Sequence, residues 1–122
     1  MPSILIVDDY ATIRSAVRAR LETCPGFVVC GEAVDGTDAI GKAIKLKPDV
    51  ILLDLAMPSM NGVEAASVLK GLLPHPVIIA LTMYSESLGK SLAAAVGIDA
   101  VVAKTDGIAR VVECIQSLLK TA

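Results

Sequence analysis

Five polar residues stand where apolar runs of this chain end. Asp8 and Asp9 follow Ile4-Leu5-Ile6-Val7, Asp54 follows Val50-Ile51-Leu52-Leu53, Thr82 follows Val77-Ile78-Ile79-Ala80-Leu81, and Lys104 follows Ala100-Val101-Val102-Ala103. Three carboxylates brought into one pocket repel each other unless a cation lies between them. A hard divalent ion resolves the conflict, and Mg²⁺ is typically held by one or two carboxylates together with waters and phosphate oxygens. A carboxylate beside such an ion can act as a nucleophile and form an acyl phosphate. Phosphoryl transfer then needs positioning and charge stabilisation above all. Lys104 would supply a point charge, and Thr82 a hydroxyl donor, for the oxygens of the transferred group.

The elements that must position these residues repeat five times. The strand candidates are the four runs above together with Phe27-Val28-Val29-Cys30. Most are apolar at consecutive positions, the pattern of strands covered on both faces in a parallel sheet. Between them the spacing is helical: Ile13, Val17 and Leu21 in the first segment, Ala39, Ile40, Ala43 and Ile44 in the second, and Ile108, Val111, Val112, Ile115, Leu118 and Leu119 in the last. Pro25-Gly26, Lys47-Pro48-Asp49, Pro74-His75-Pro76 and Gly97 punctuate the segments. The fourth helix, about Glu86 to Val96, carries Gly89 and is expected to be the least stable. Short connections imply right-handed crossovers and an α/β three-layer sandwich: a five-stranded parallel sheet and five helices in a single domain, 1–122. In the common strand order 2-1-3-4-5, ligands bind at the carboxyl ends of the strands where the order reverses. The first and third strands are neighbours at that point, so Asp8, Asp9 and Asp54 converge.

Composition narrows the classes of function. The 122 residues are 54% hydrophobic but 2% aromatic (Phe27, Tyr10 and Tyr84), with a formal net charge of -2. So apolar a chain of this length can bury a core, which excludes disorder. No uninterrupted apolar run exceeds five residues, against roughly 20 for a spanning helix, so no membrane partner is expected. Met1-Pro2-Ser3 lacks the regions of a secretory signal. Cys24, Cys30 and Cys114 are an odd count without metal-type spacing, and read as reduced thiols of a cytoplasmic protein. The slightly acidic balance argues against direct nucleic-acid binding by this domain.

Each polar residue has a plain structural explanation when taken alone. An Asp pair before a helix can cap it, and an Asp after a strand can close a turn. A Thr suits a strand, and a lone Lys is usually a solvated charge. Caps and turns have no reason to coincide at four strand ends, which favours a shared site.

The motifs Ile-Val-Asp8-Asp9, Leu-Asp54-Leu-Ala-Met-Pro58-Ser-Met-Asn-Gly62, Ala-Leu-Thr82 and Val-Val-Ala-Lys104 resemble the receiver domain of bacterial two-component response regulators. Gly-Glu-Ala-Val-Asp-Gly36 extends the likeness, which covers essentially the whole chain. The resemblance implies a flavodoxin-type, CheY-like fold. It makes Asp54 the phosphoacceptor for a sensor histidine kinase or histidine phosphotransfer protein. Asp9, Asp54 and the Ala56 backbone carbonyl would bind Mg²⁺ directly, with Asp8 acting through water. Thr82 and Lys104 would contact the phosphoryl oxygens. The chain would be no turnover enzyme, beyond phosphorylating and dephosphorylating itself. Leu-Thr-Met-Tyr84 and Lys-Thr-Asp106 look most like receivers of LuxR/NarL-type regulators, whose output is transcription. The family also allows an output domain or a homodimer through the face of the fourth helix, fifth strand and fifth helix.

The chain departs from the family pattern at three places. Val101 stands where receivers commonly carry a Tyr or Phe that swings inward as the Thr moves, Thr105 replaces a frequent Pro, and Met83 a small residue. By the resemblance, Tyr84 and Ala56 would flank the pocket, at positions that in receivers affect how fast the phosphate is lost. Arg14 and Arg18, one turn apart, lie on the helix that receivers offer to the phosphodonor, or else form a solvated face. His75, Met57 and Met60 read as loop residues. A receiver-like interaction module that works without phosphate is the alternative that Val101 motivates. A flavin-binding domain is disfavoured because Asp8-Asp9-Tyr10-Ala11-Thr12 is no glycine-rich phosphate cradle, and no Gly-Lys-Ser/Thr run marks a P-loop.

Overall fold

Successive side chains of a strand point to opposite faces, so strands with unbroken apolar runs need cover on both sides. The computed structural model describes residues 2–54, 62–72, 76–82, 98–103 and 107–120. Its strands are β1 (Ser3–Val7), β2 (Val28–Ala33), β3 (Val50–Asp54), β4 (Val77–Thr82) and β5 (Ala100–Ala103). All neighbouring pairs are parallel, in the order β2-β1-β3-β4-β5 expected from the sequence. The described helices are α1 (Ala11–Glu22), α2 (Gly36–Leu46), α3 (Gly62–Lys70) and α4 (Ile108–Lys120). The fourth helix expected near Glu86 to Val96 lies outside the described residues, as do Met57, Met60, His75, Met83, Tyr84 and Thr105.

The two cores divide by strand parity. Leu5 and Val7, Ile51 and Leu53, and Ile78 and Ala80 pack with Ala39 and Ala43 of α2 and Ala65, Ala66 and Leu69 of α3. Ile4 and Ile6, Val50 and Leu52, and Ile79 and Leu81 pack on the other side with Leu21 of α1 and Val111 and Ile115 of α4. The layers are therefore α2 and α3, the sheet, then α1 and α4. Small Ala residues on α2 and α3 let those helices lie close to the sheet, while α1 and α4 use longer aliphatic side chains.

Helix ends follow their local chemistry. Asp35 caps α2 by accepting the Asp38 N–H at 2.8 Å. Lys47 closes that helix in a left-handed conformation (φ 49°), its N–H reaching Ala43 O at 2.9 Å. α3 ends at Lys70, earlier than the Pro74-His75-Pro76 punctuation, because the Gly71 and Leu72 N–H groups turn back to Val68 and Leu69 carbonyls.

β2 corrects the sequence reading. It begins at Val28, leaves Phe27 out and runs on through Gly31 and Glu32 to Ala33. Its register skips a residue: Ile4 faces Val29 and Leu5 faces Gly31, so Cys30 is an insertion in the ladder. As the outermost strand it need not be apolar on both faces, so its second half escaped the criterion that found the others.

At the amino ends of the strands, side chains tie neighbouring segments together. Asp49 accepts the Ser3 N–H at 2.8 Å, and Asp99 accepts the Ile78 N–H at 2.8 Å and the Lys70 ammonium at 2.7 Å. The opposite edge is left for chemistry. Leu52, fully buried in the central strand, tests the core: Leu52→Ala should cost roughly 2–5 kcal/mol. Urea denaturation should show a lower midpoint with an unchanged slope.

Candidate functional site

The ladders carry the acidic residues to one edge. Val7 of β1 faces Leu53 of β3, so the next register step brings Asp8 alongside Asp54. Asp54 is the last residue of β3 and lies opposite Leu81, which sets Thr82 one step further along β4. Thr82 in turn faces Ala103, after which the chain enters Lys104. Lys104 and Ala56 lie outside the described residues.

Asp8, Asp9 and Asp54 come together as expected. Each offers a carboxylate oxygen, and these atoms lie within 4.8 Å of one another. Asp8 is 1% exposed and Asp54 3%, the buried charged residues of the described core. Helix capping does not explain them. α1 begins after Tyr10, which provides no side-chain cap, and the Asp8 carboxylate instead accepts the Tyr10 N–H at 3.0 Å. Asp35 at α2 shows what a capping aspartate looks like in this fold.

Asp9 supplies the clearest sign of a ligand. Its Oδ1 is buried and has no hydrogen-bond partner among the described residues. A buried carboxylate oxygen in that state carries a desolvation penalty with nothing to offset it. Three hard oxygen donors in one pocket, one of them unsatisfied, fit a hard divalent cation. Soft metals would call for thiolate or imidazole ligands, and the three cysteines stand elsewhere as free thiols.

Behind the acids lies a charged cluster that the sequence exposed only in part. The Arg14 guanidinium donates through Nη1 to the Asp8 main-chain carbonyl at 2.7 Å and through Nε to Glu32 at 3.1 Å. Arg18 donates to the second Glu32 oxygen at 2.8 Å, and Lys42 donates to the Glu32 main-chain carbonyl. Arg14 and Arg18 are thus engaged with β2. Their spacing of one turn was the available clue that an acidic partner faces α1. Hydrogen bonding from Arg18 holds the Glu32 carboxyl below its ordinary pKa, partial burial opposes the shift, and Arg14 adds to it. The Asp38 carboxyl is also lowered, first by the Val34 N–H and then, against burial, by Lys42. Val101 of β5 pairs with Ala80 of β4 and packs, partly buried, against the core on the α2 and α3 side.

A family model for the response regulator receiver domain matches residues 4–116. The chain is 39% identical over 113 residues to the response regulator protein VraR of Staphylococcus saprophyticus, a match covering 93% of this chain and 54% of that protein. It therefore spans about half the length of the curated relatives it matches. A two-component response regulator of the LuxR family from Aurantimonas sp. superposes with a TM-score of 0.91 at 28% identity, covering 98% of this chain and 85% of that one. The isolated receiver domain of RcsB from Salmonella enterica, solved with the phosphomimetic BeF3-, gives 0.88 at 27%, covering 98% and 88%.

The charged cluster has a pH signature. A carboxyl whose folded pKa is depressed stabilises fully above its unfolded value, and the contribution fades as pH falls through the folded value. For Glu32 the fade begins below its ordinary 4.5. Glu32→Gln should therefore lower stability above that pH by a few tenths to about 1 kcal/mol, as partly exposed pairs do. Denaturation midpoints of wild type and variant should converge on acidification; a gap independent of pH would contradict the pairing.

Proposed function

Because this chain belongs to the response regulator receiver family, we propose that it is a phosphorylation switch whose acceptor is Asp54. The observation that carries this reading is the gathering of Asp8, Asp9 and Asp54 within 4.8 Å at the carboxyl ends of adjacent strands. The Asp54 carboxylate attacks the phosphorus of a phosphohistidine on a sensor kinase or phosphotransfer protein. A new O–P bond forms as the P–N bond breaks, and the electron pair leaves with the imidazole nitrogen, which takes up a proton. Burial of Asp54 excludes competing water and keeps the nucleophile in one orientation.

Asp9 and Asp54 would hold Mg²⁺ directly, with the Ala56 carbonyl, and Asp8 would act through water. When bound, the ion neutralises charge that builds on the phosphoryl oxygens. Thr82, at the end of β4, would donate its hydroxyl to a phosphoryl oxygen, and Lys104 would place its ammonium on another. Thr82 faces Ala103 across the β4–β5 ladder, the edge to which the two residues would report the event. The chain acts as a stoichiometric acceptor, not a turnover enzyme.

The donor would approach over α1. Arg14 and Arg18 are bound to Glu32, and an apolar hollow lies on the other side of α1. Ile13 and Val17 of α1, with Ile108 and Val111 of α4, line a cavity of 210 Å³ next to Leu81 and Ala103. No helix among the described residues is long and apolar enough to cross a membrane, and the proposed donors place the chain in the cytoplasm. Transcription is the output that its LuxR-family likeness suggests.

With Mg²⁺ and acetyl phosphate, intact-protein mass spectrometry should show one added phosphoryl group. Asp54→Ala and chelation of the metal should each abolish it. Labelling that survives Asp54→Ala would overturn the assignment.

A further inference from the structure

Asp9 contributes a buried carboxylate oxygen that no described side chain or backbone group holds. Its position must therefore come from its backbone. The peptide that joins Asp8 to Asp9 is planar, so a group that fixes the Asp8 carbonyl also fixes the amide and Cα of Asp9. Arg14 is that group, with its Nη1 2.7 Å from the Asp8 carbonyl oxygen.

Arg14 is itself immobilised. Its Nε is committed to Glu32, its side chain is 14% exposed, and Glu32 is braced by Arg18 and, through its main chain, by Lys42. Two other contacts hold the loop on either side of that peptide: the Asp8 N–H donates to Ala33 O at 3.1 Å, and the Tyr10 N–H, in the Asp9–Tyr10 peptide, donates to the Asp8 carboxylate, so the Asp8 carbonyl is left to Arg14. The planar fork of a guanidinium holds its donors to the carbonyl and the carboxylate in a fixed relative geometry, where an ammonium acts as a point charge on a flexible stem.

We propose that Arg14 is a positioning residue for the cation site, orienting Asp9 through the Asp8–Asp9 peptide. Electrostatics alone predicts the opposite sign for its removal. A positive charge near a divalent-cation site weakens binding, so deleting it should tighten the site. Loss of orientation weakens binding, and groups that orient metal ligands are typically worth about 10–100-fold in affinity. Glu32, which Arg14 shares with Arg18, offsets part of the Arg14 charge, and orientation prevails. This inference rests on the Mg²⁺ reading of the carboxylate cluster.

The test is Mg²⁺ titration by calorimetry on the unphosphorylated chain, with thermal melting as a check on folding. Arg14→Gln should bind Mg²⁺ about tenfold more weakly than wild type. Arg14→Lys, which keeps one donor within reach of the Asp8 carbonyl, should recover part of that loss. Arg14→Gln binding as tightly as wild type, or more tightly, would overturn the proposal. Should Arg14→Gln not fold, NMR of the wild-type guanidinium decides: its Nη protons should be protected from solvent exchange and shift on Mg²⁺ saturation. Free exchange with no response would equally overturn it. A wild-type chain that binds no Mg²⁺ would refute the underlying site instead.

Discussion

Mutual repulsion among three carboxylates is the constraint around which this molecule is organised. Left to themselves, Asp8, Asp9 and Asp54 would separate and face water. They are held within 4.8 Å because the backbone that carries them has no freedom to retreat. β1 and β3 are buried on both faces and locked in register, and Asp8 and Asp54 occupy the first positions at which that ladder meets a polar edge. The aliphatic core therefore does more than stabilise the fold. It supplies the force that keeps like charges together, and so stores an affinity for a compensating cation.

The ion pairs beneath the loop serve the same end from another direction. Glu32 receives both Arg14 and Arg18 on its two carboxylate oxygens, and Arg14 passes the restraint on to the Asp8 carbonyl. Isolated surface pairs contribute little to stability. A network that fixes one peptide plane can matter far more for geometry than for the free energy of folding.

Most of the architecture was legible in the sequence because four strands are apolar at consecutive positions, a pattern that only a doubly covered parallel strand explains. The strand ends were legible for the complementary reason, since polar residues broke each run at the same place. β2 was read short because an outer strand tolerates Gly31 and Glu32, and because the insertion at Cys30 disrupts any simple register. Glu32 was overlooked as a functional residue because its role depends on two arginines far away in sequence. Spacing of one turn on α1 suggested that Arg14 and Arg18 act together, but pairing across elements cannot be read from spacing. The scarcity of aromatic residues extends to β5, where the small aliphatic Val101 packs, partly buried, against the core.

The form of β2 bears on how the molecule behaves in company. The outermost strand of an open sheet is a template for adding another chain. Here a prospective partner strand would meet a ladder thrown out of step at Cys30. It would also meet a glutamate already claimed by two arginines, and a main-chain carbonyl taken by the Lys42 ammonium. The same residues that steady the acidic loop thus blunt the β2 border of the sheet against the addition of a further strand.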